Sequence, residues 1–116
     1  MIKVFNKDDV PFEDVADGIK KKCLAQGEKI TFNMYVNEKD SHIPAHSHPQ
    51  ELVAIVLQGE VEATFNGDKY LLRAGMGYHI PANEEHGPFL TVSEEPAIYL
   101  DILSPPRVTE EYADKK

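Results

Sequence analysis

The chain has 116 residues, a length that fits one domain able to bury a core without disulfide staples. Hydrophobic residues make up 41% and charged residues 28%, the balance of a soluble globular chain. A net charge of −8 argues against a nucleic-acid partner, one cysteine excludes an internal disulfide, and no apolar run approaches the ~18 residues a membrane span needs. The first residues lack the apolar stretch of a secretory signal, which predicts a cytoplasmic protein.

Strand signals dominate from there on. Residues 10–15 suggest a single helical turn. Residues 18–25 read as a strand with Ile19 and Cys23 on one face, Cys23 as a small core hydrophobe and Lys20-Lys21-Lys22 as a solvated charge run. Residues 26–28 form a turn. Residues 30–36 alternate, which places Ile30, Phe32, Met34 and Val36 on one face. Residues 37–41 are a polar loop, with His42 solvated beside it. Residues 52–57 form a continuous apolar run, as expected of a strand buried on both sides.

Residues 60–65 alternate again. Asn66-Gly67 is a strong hairpin signal, because both residues tolerate positive φ. Residues 69–72 return from that turn, and residues 74–77 turn once more. Residues 78–80 are a short strand stopped by Pro81, with Tyr78 inward rather than His79. Residues 88–92 and 97–103 complete the set, and Ser104-Pro105-Pro106 ends it. Residues 109–116 read as a short frayed helix or a flexible tail. Many short strands with little helix imply a sandwich or barrel, and closing the sheet hides most strand edges.

The chemistry gathers around His46-Ser47-His48. On a strand, residues two apart share a face, so the two imidazoles start a site for zinc, nickel, iron or copper. A third histidine, His86, lies downstream in Pro81-x4-His86. The apolar run between ends at a glycine turn, Gly59. Glu84 and Glu85 beside His86 read as loop residues.

These motifs identify the resemblance. His46, His48 and Gly59 match the first motif of the cupins, and Gly75, Pro81 and His86 match the second. From residue 9 to 107 the chain is most similar to the pectin-degradation cupins that linearise 4,5-unsaturated uronates. The matching segments are Phe12-Glu13-Asp14, His46-Ser47-His48-Pro49, Pro81-x-Asn83-Glu84-x-His86-Gly87 and Asp101-x-x-Ser104-Pro105-x-Arg107. The resemblance implies an all-β, single-domain jelly-roll barrel (a double-stranded β-helix) over residues 1–116, with its core over about 9–107. It implies a divalent transition metal (zinc, nickel, iron, copper or manganese) on His46, His48 and His86. It also implies a small acidic sugar as substrate, no nucleic-acid or membrane partner, and a homodimer joined by apolar faces and sheet edges, with the strand at residues 19–24 exposed.

Two positions depart from the family pattern. Where the family carries a glutamine or glutamate ligand, this chain has Leu52, which has no lone pair to give. Either a bulge turns the neighbouring Glu51 inward or the metal keeps three protein ligands and open positions. The usual aspartate after the second-motif glycine is Met76, a change expected to touch the turn more than the chemistry. Asp101 lies in an otherwise apolar strand. If Tyr99, Asp101 and Leu103 face the barrel interior, a carboxylate there is suited to proton transfer. Arg107, after the Pro-Pro elbow, is placed to grip a carboxylate at the barrel mouth. Uronate ring opening is the leading function, with an iron(II) dioxygenase and a non-catalytic ligand-binding or sensory cupin as alternatives.

Overall fold

The computed structural model describes residues 1–107. It is almost all-β, built from two antiparallel sheets. The strands are β1 (Glu13–Ala16), β2 (Ile19–Gln26), β3 (Thr31–Asn37), β4 (His42–Ile43), β5 (Glu51–Gln58), β6 (Val61–Phe65), β7 (Asp68–Leu72), β8 (Gly77–Ile80), β9 (Phe89–Thr91) and β10 (Ala97–Ser104). The larger sheet has the order β1-β2-β3-β10-β5-β8 and the smaller β4-β9-β6-β7. The expected tail at residues 109–116 lies outside the described residues. Among the described residues no helix is long and apolar enough to cross a membrane.

Local chemistry explains the corners. Asn66 and Gly67 both take positive φ (52° and 84°), as a tight hairpin between β6 and β7 requires. Gly59 sits at φ 81°, and a Cβ there would lie 2.8 Å from the Ala97 Cα, so only glycine fits the end of β5. At the β7–β8 turn the Met76 sulfur accepts the Arg73 N–H at 3.4 Å, so the methionine supplies an acceptor within the turn.

The core lies between the sheets. Ile19, Tyr35, Val56, Val61, Leu72 and Tyr99 form its main cluster, and Leu52, Ala54, Ile80 and Leu103 a second beside it. Each fully buried aliphatic side chain contributes about 1.5–3 kcal/mol.

Several expectations are corrected. Residues 13–16 form strand β1, and the single helical turn is a 3-10 turn earlier, at Lys7–Asp9. In β3 the inward face is reversed: Thr31, Asn33, Tyr35 and Asn37 are buried, Phe32, Met34 and Val36 are half-buried and Ile30 is exposed. The interior is a polar-lined site rather than a pure core, so the hydrophobic alternation marks the outer face. β5 is buried on one side only, with Leu52, Ala54 and Val56 inward and Val53, Ile55 and Leu57 outward.

Lys21 and Lys22 are buried rather than solvated. Lys22 Nζ donates to the Lys7 carbonyl at 2.6 Å and lies 4.2 Å from the Phe12 ring centroid, so it ties the N-terminal segment to β2. Cys23 is only half-buried and sits at a register shift between Cys23 and Ala25. The strand at Ile19 is not the sheet edge either, because β1 pairs with Ile19, Lys20 and Lys21.

Candidate functional site

His46 and His48 alternate inward across the exposed Ser47, as extended backbone dictates. His86 is brought beside them by a β-bridge. The His46 N–H donates to the His86 carbonyl and the His86 N–H to the His46 carbonyl, both at 2.9 Å. The Asn83 N–H donates to the His48 carbonyl at 2.8 Å, which fastens the second-motif loop to the first. All three imidazoles are buried. One ring nitrogen from each lies within 4.8 Å of the others.

The orientation of each ring is set by the backbone. His46 Nδ1 lies 2.8 Å from the Pro44 carbonyl, His48 Nδ1 3.0 Å from that of Gln50, and His86 Nδ1 2.9 Å from that of Glu84. A carbonyl only accepts, so each Nδ1 carries the proton and each Nε2 keeps its lone pair. Glu84 therefore serves the site through its main chain and not its carboxylate. This is the arrangement a metal-ligating histidine needs, with the second nitrogen anchored and the first left as donor.

The electrostatics agree. Burial pushes the His46 ring down to about 4 against the pull of the Pro44 carbonyl, and the His86, His48 and Arg107 charges deepen the fall. Burial likewise takes His48 to about 4, followed by Arg107 and His86. His86 is lowered chiefly by burial. All three are neutral near pH 7 and able to give a lone pair to a metal. The donor set passes a further test: His48 Nε2 is buried with no hydrogen-bond partner among the described residues. Such an orphan costs about 1–3 kcal/mol, which a metal bond would offset. The three histidines can hold a metal ion.

The cavity around them opens to solvent, and its empty space together with the solvent at its mouth is about 360 Å³. Asp101 and Arg107 both line it, as does Leu52. On β10, Ala97, Tyr99, Asp101 and Leu103 are the buried alternates, so Asp101 faces inward. It accepts from Asn33 Nδ2 at 3.1 Å across the register pair Asp101–Asn33. Glu51 is not brought to the site. No register shift falls at the start of β5, and Glu51 Oε2 lies 2.6 Å from His79 Nε2 on the outer face. His42 is exposed.

Of the aromatic wall, the sequence alone points to Tyr78 and Tyr99, and the structure adds Tyr35 and Phe89. Tyr35 and Tyr99 stack at 4.9 Å with rings 9° from parallel, and Asn37 Nδ2 donates to the Tyr99 hydroxyl at 3.2 Å. Tyr78 and Phe89 complete the wall. Burial raises the Tyr78 phenol far above its usual range, and the Asp101 charge adds to this, so Tyr78 keeps its proton. The signal was present in Thr31-x-Asn33-x-Tyr35-x-Asn37, a period-two run of hydrogen-bonding residues within one strand.

A jelly-roll barrel with three convergent histidines inside defines a class, and comparison with known proteins agrees. Residues 32–103 match the cupin domain, and the chain belongs to the cupin family. It is 30% identical over 108 residues to the pectin degradation protein KdgF of Dickeya dadantii, covering 92% of this chain and 96% of that one. It is 26% identical over 102 residues to an L-ectoine synthase of Wolinella succinogenes, covering 84% of this chain and 76% of the other. Among solved structures, KdgF from Halomonas sp. superposes with a TM-score of 0.84 at 21% identity, over 92% of this chain and 96% of that one.

Proposed function

We propose that this cupin opens the ring of a 4,5-unsaturated uronate and releases a 5-keto-4-deoxyuronate. The observation that carries the reading is the joint placement of three neutral imidazoles, the Asp101 carboxylate and the Arg107 guanidinium around one cavity. The 30% identity to a pectin degradation protein over nearly the whole chain supports it.

The reaction is an isomerisation. The anomeric hydroxyl loses its proton as the bond from C1 to the ring oxygen breaks, which gives an aldehyde and an enol at C5. The enol then takes a proton at C4 and gives up the proton on its oxygen, which becomes the 5-keto group. Asp101 is the carboxylate placed to carry a proton, and Asn33 fixes its oxygen. Arg107 holds the sugar carboxylate through its planar fork of donors. The tyrosine and phenylalanine wall excludes water from the ring face. His46, His48 and His86 would hold a divalent transition metal such as zinc, nickel or iron(II), which when bound supplies Lewis acidity toward substrate oxygens.

The same reading includes a homodimer. The outer face of the larger sheet carries apolar rows in register: Phe32, Ile102 and Val53 in one, Met34, Leu100 and Ile55 in the next. Val53, Ile55, Leu57 and Ile102 are each more than 40% exposed. An apolar face spanning three strands is an association surface, and a second copy is the partner that fits it.

A second reading, a non-catalytic ligand-binding cupin, is favoured by Leu52, which puts an apolar wall where a fourth ligand would stand. Proton NMR of an unsaturated galacturonate incubated with the protein decides between them. Loss of the C4 vinyl proton and growth of the keto product faster than in buffer supports the enzyme. Perturbed ligand signals without product would support the binding module.

A further inference from the structure

We propose that Thr31 is a positioning residue for Arg107: its hydroxyl fastens the backbone of the elbow after β10, so that the guanidinium is presented to the histidine cavity. The inference rests on the proposed role of Arg107 as the group that binds the substrate carboxylate.

The ladder between β3 and β10 brings the elbow to Thr31. Leu103 lies opposite Thr31 in register, and the strand ends at Ser104. Pro105 and Pro106 follow and have no N–H to donate, so backbone pairing stops there. Arg107 carries the next N–H, and it donates to Thr31 Oγ1 at 3.0 Å. The same hydroxyl donates to the Arg107 carbonyl at 3.5 Å. A hydroxyl is the small group able to accept and donate at one atom, and so to serve both ends of one residue. The chain thus leaves Thr31 at Leu103 and returns to its side chain at Arg107. Thr31 is 1% exposed and Arg107 6%, so water does not compete for these bonds.

The elbow has a second tie. Gln50 Nε2 donates to the Pro106 carbonyl at 3.5 Å, and the Gln50 carbonyl accepts from His48 Nδ1 at 3.0 Å. The peptide unit joining Pro106 to Arg107 is therefore held at its N–H by β3 and at its carbonyl by the residue that orients a histidine. Arg107 lines the same cavity as His46, His48 and His86. An arginine stem has several rotatable bonds, so its aim depends on how firmly its backbone is fixed. A misplacement of about 1 Å costs up to ~10²-fold in rate or affinity.

The test uses Thr31→Val, which keeps the shape and loses the hydroxyl, and Thr31→Ser, which keeps the hydroxyl. Metal content is equalised first by elemental analysis. With an unsaturated galacturonate, Thr31→Val should raise KM roughly 10-fold or more while kcat changes much less, and Thr31→Ser should restore KM. Calorimetric affinity for galacturonate, a saturated analogue that does not react, should fall by the same factor. Wild-type KM and galacturonate affinity in Thr31→Val would overturn the inference, as would equal losses in both variants. If the wild type neither turns over nor binds uronates, the functional reading fails, and limited trypsin digestion decides Thr31 by itself. Faster cleavage after Arg107 in Thr31→Val but not in Thr31→Ser supports the fastening, and equal cleavage in all three proteins overturns it.

Discussion

Glu51 and Leu52 are neighbours at the start of β5 that face opposite ways. Leu52 lines the histidine cavity, and the Glu51 carboxylate meets His79 on the outer surface. The alternation of a strand without a bulge at this point leaves no room for both to face inward. Glu51→Ala should therefore leave metal affinity unchanged and alter stability by less than about 1 kcal/mol, the range of an exposed ion pair. Leu52→Gln should tighten metal binding by adding a donor, although burying an amide that missed the metal would cost stability. Isothermal titration of the three proteins with one metal checks both. Abolished binding in Glu51→Ala with no gain in Leu52→Gln would make Glu51 the fourth ligand.

The metal-free protein should lose stability as it is acidified below neutrality. Unfolded imidazoles titrate near 6.5, whereas His46 and His48 in the fold titrate near 4. Between those values the unfolded chain binds more protons than the folded one, so unfolding free energy rises with pH across that window. The contribution is fully present above about 6.5 and is lost as the pH falls toward about 4. Urea unfolding at stepped pH reads the slope, and the double variant His46→Gln/His48→Gln should flatten it. An unchanged slope in that variant would contradict neutral buried imidazoles.

Asp101→Asn should lower uronate turnover by roughly 10²–10⁴-fold with metal content intact, because the amide cannot carry the proton. Arg107→Ala should act mainly through KM. Circular dichroism and elemental analysis confirm fold and metal in each. Wild-type turnover in both variants would remove these two residues from the mechanism.

The apolar outer face should hold two copies together. Light scattering at micromolar concentration is expected to give twice the chain mass. Ile55→Asp should shift the protein to one chain mass, because Ile55 sits mid-face opposite Leu100. A monomeric wild type would contradict the proposed dimer.

The histidine pair, the Asn66-Gly67 hairpin and the inward Tyr78 were legible because each rests on local geometry: period two on a strand, or positive φ at a turn. What failed was the inference from hydrophobicity to inside. β3 turns Phe32, Met34 and Val36 outward and Thr31, Asn33 and Asn37 inward, where they hydrogen-bond to Arg107, Asp101 and Tyr99, residues that line the polar cavity. β5 misleads for the related reason that its second apolar face, at Val53, Ile55 and Leu57, is exposed. Lys21 and Lys22 were misread because a lysine is buried by its long-range neighbours, here Lys7 and Phe12 around Lys22, and no local pattern encodes those. The resemblance located the cavity residues, and the backbone carbonyls that set each histidine tautomer are invisible to sequence altogether.

His46, His48 and His86 are expected to hold one metal that uronate ring opening requires. That requirement is tested most directly by following turnover of an unsaturated galacturonate before chelator dialysis, after it, and after repletion with a single divalent metal. Activity is expected in the first state, loss in the second with the fold retained, and recovery in the third, with no recovery in His48→Ala. Turnover that survives complete metal removal, or recovers equally in His48→Ala, would contradict it.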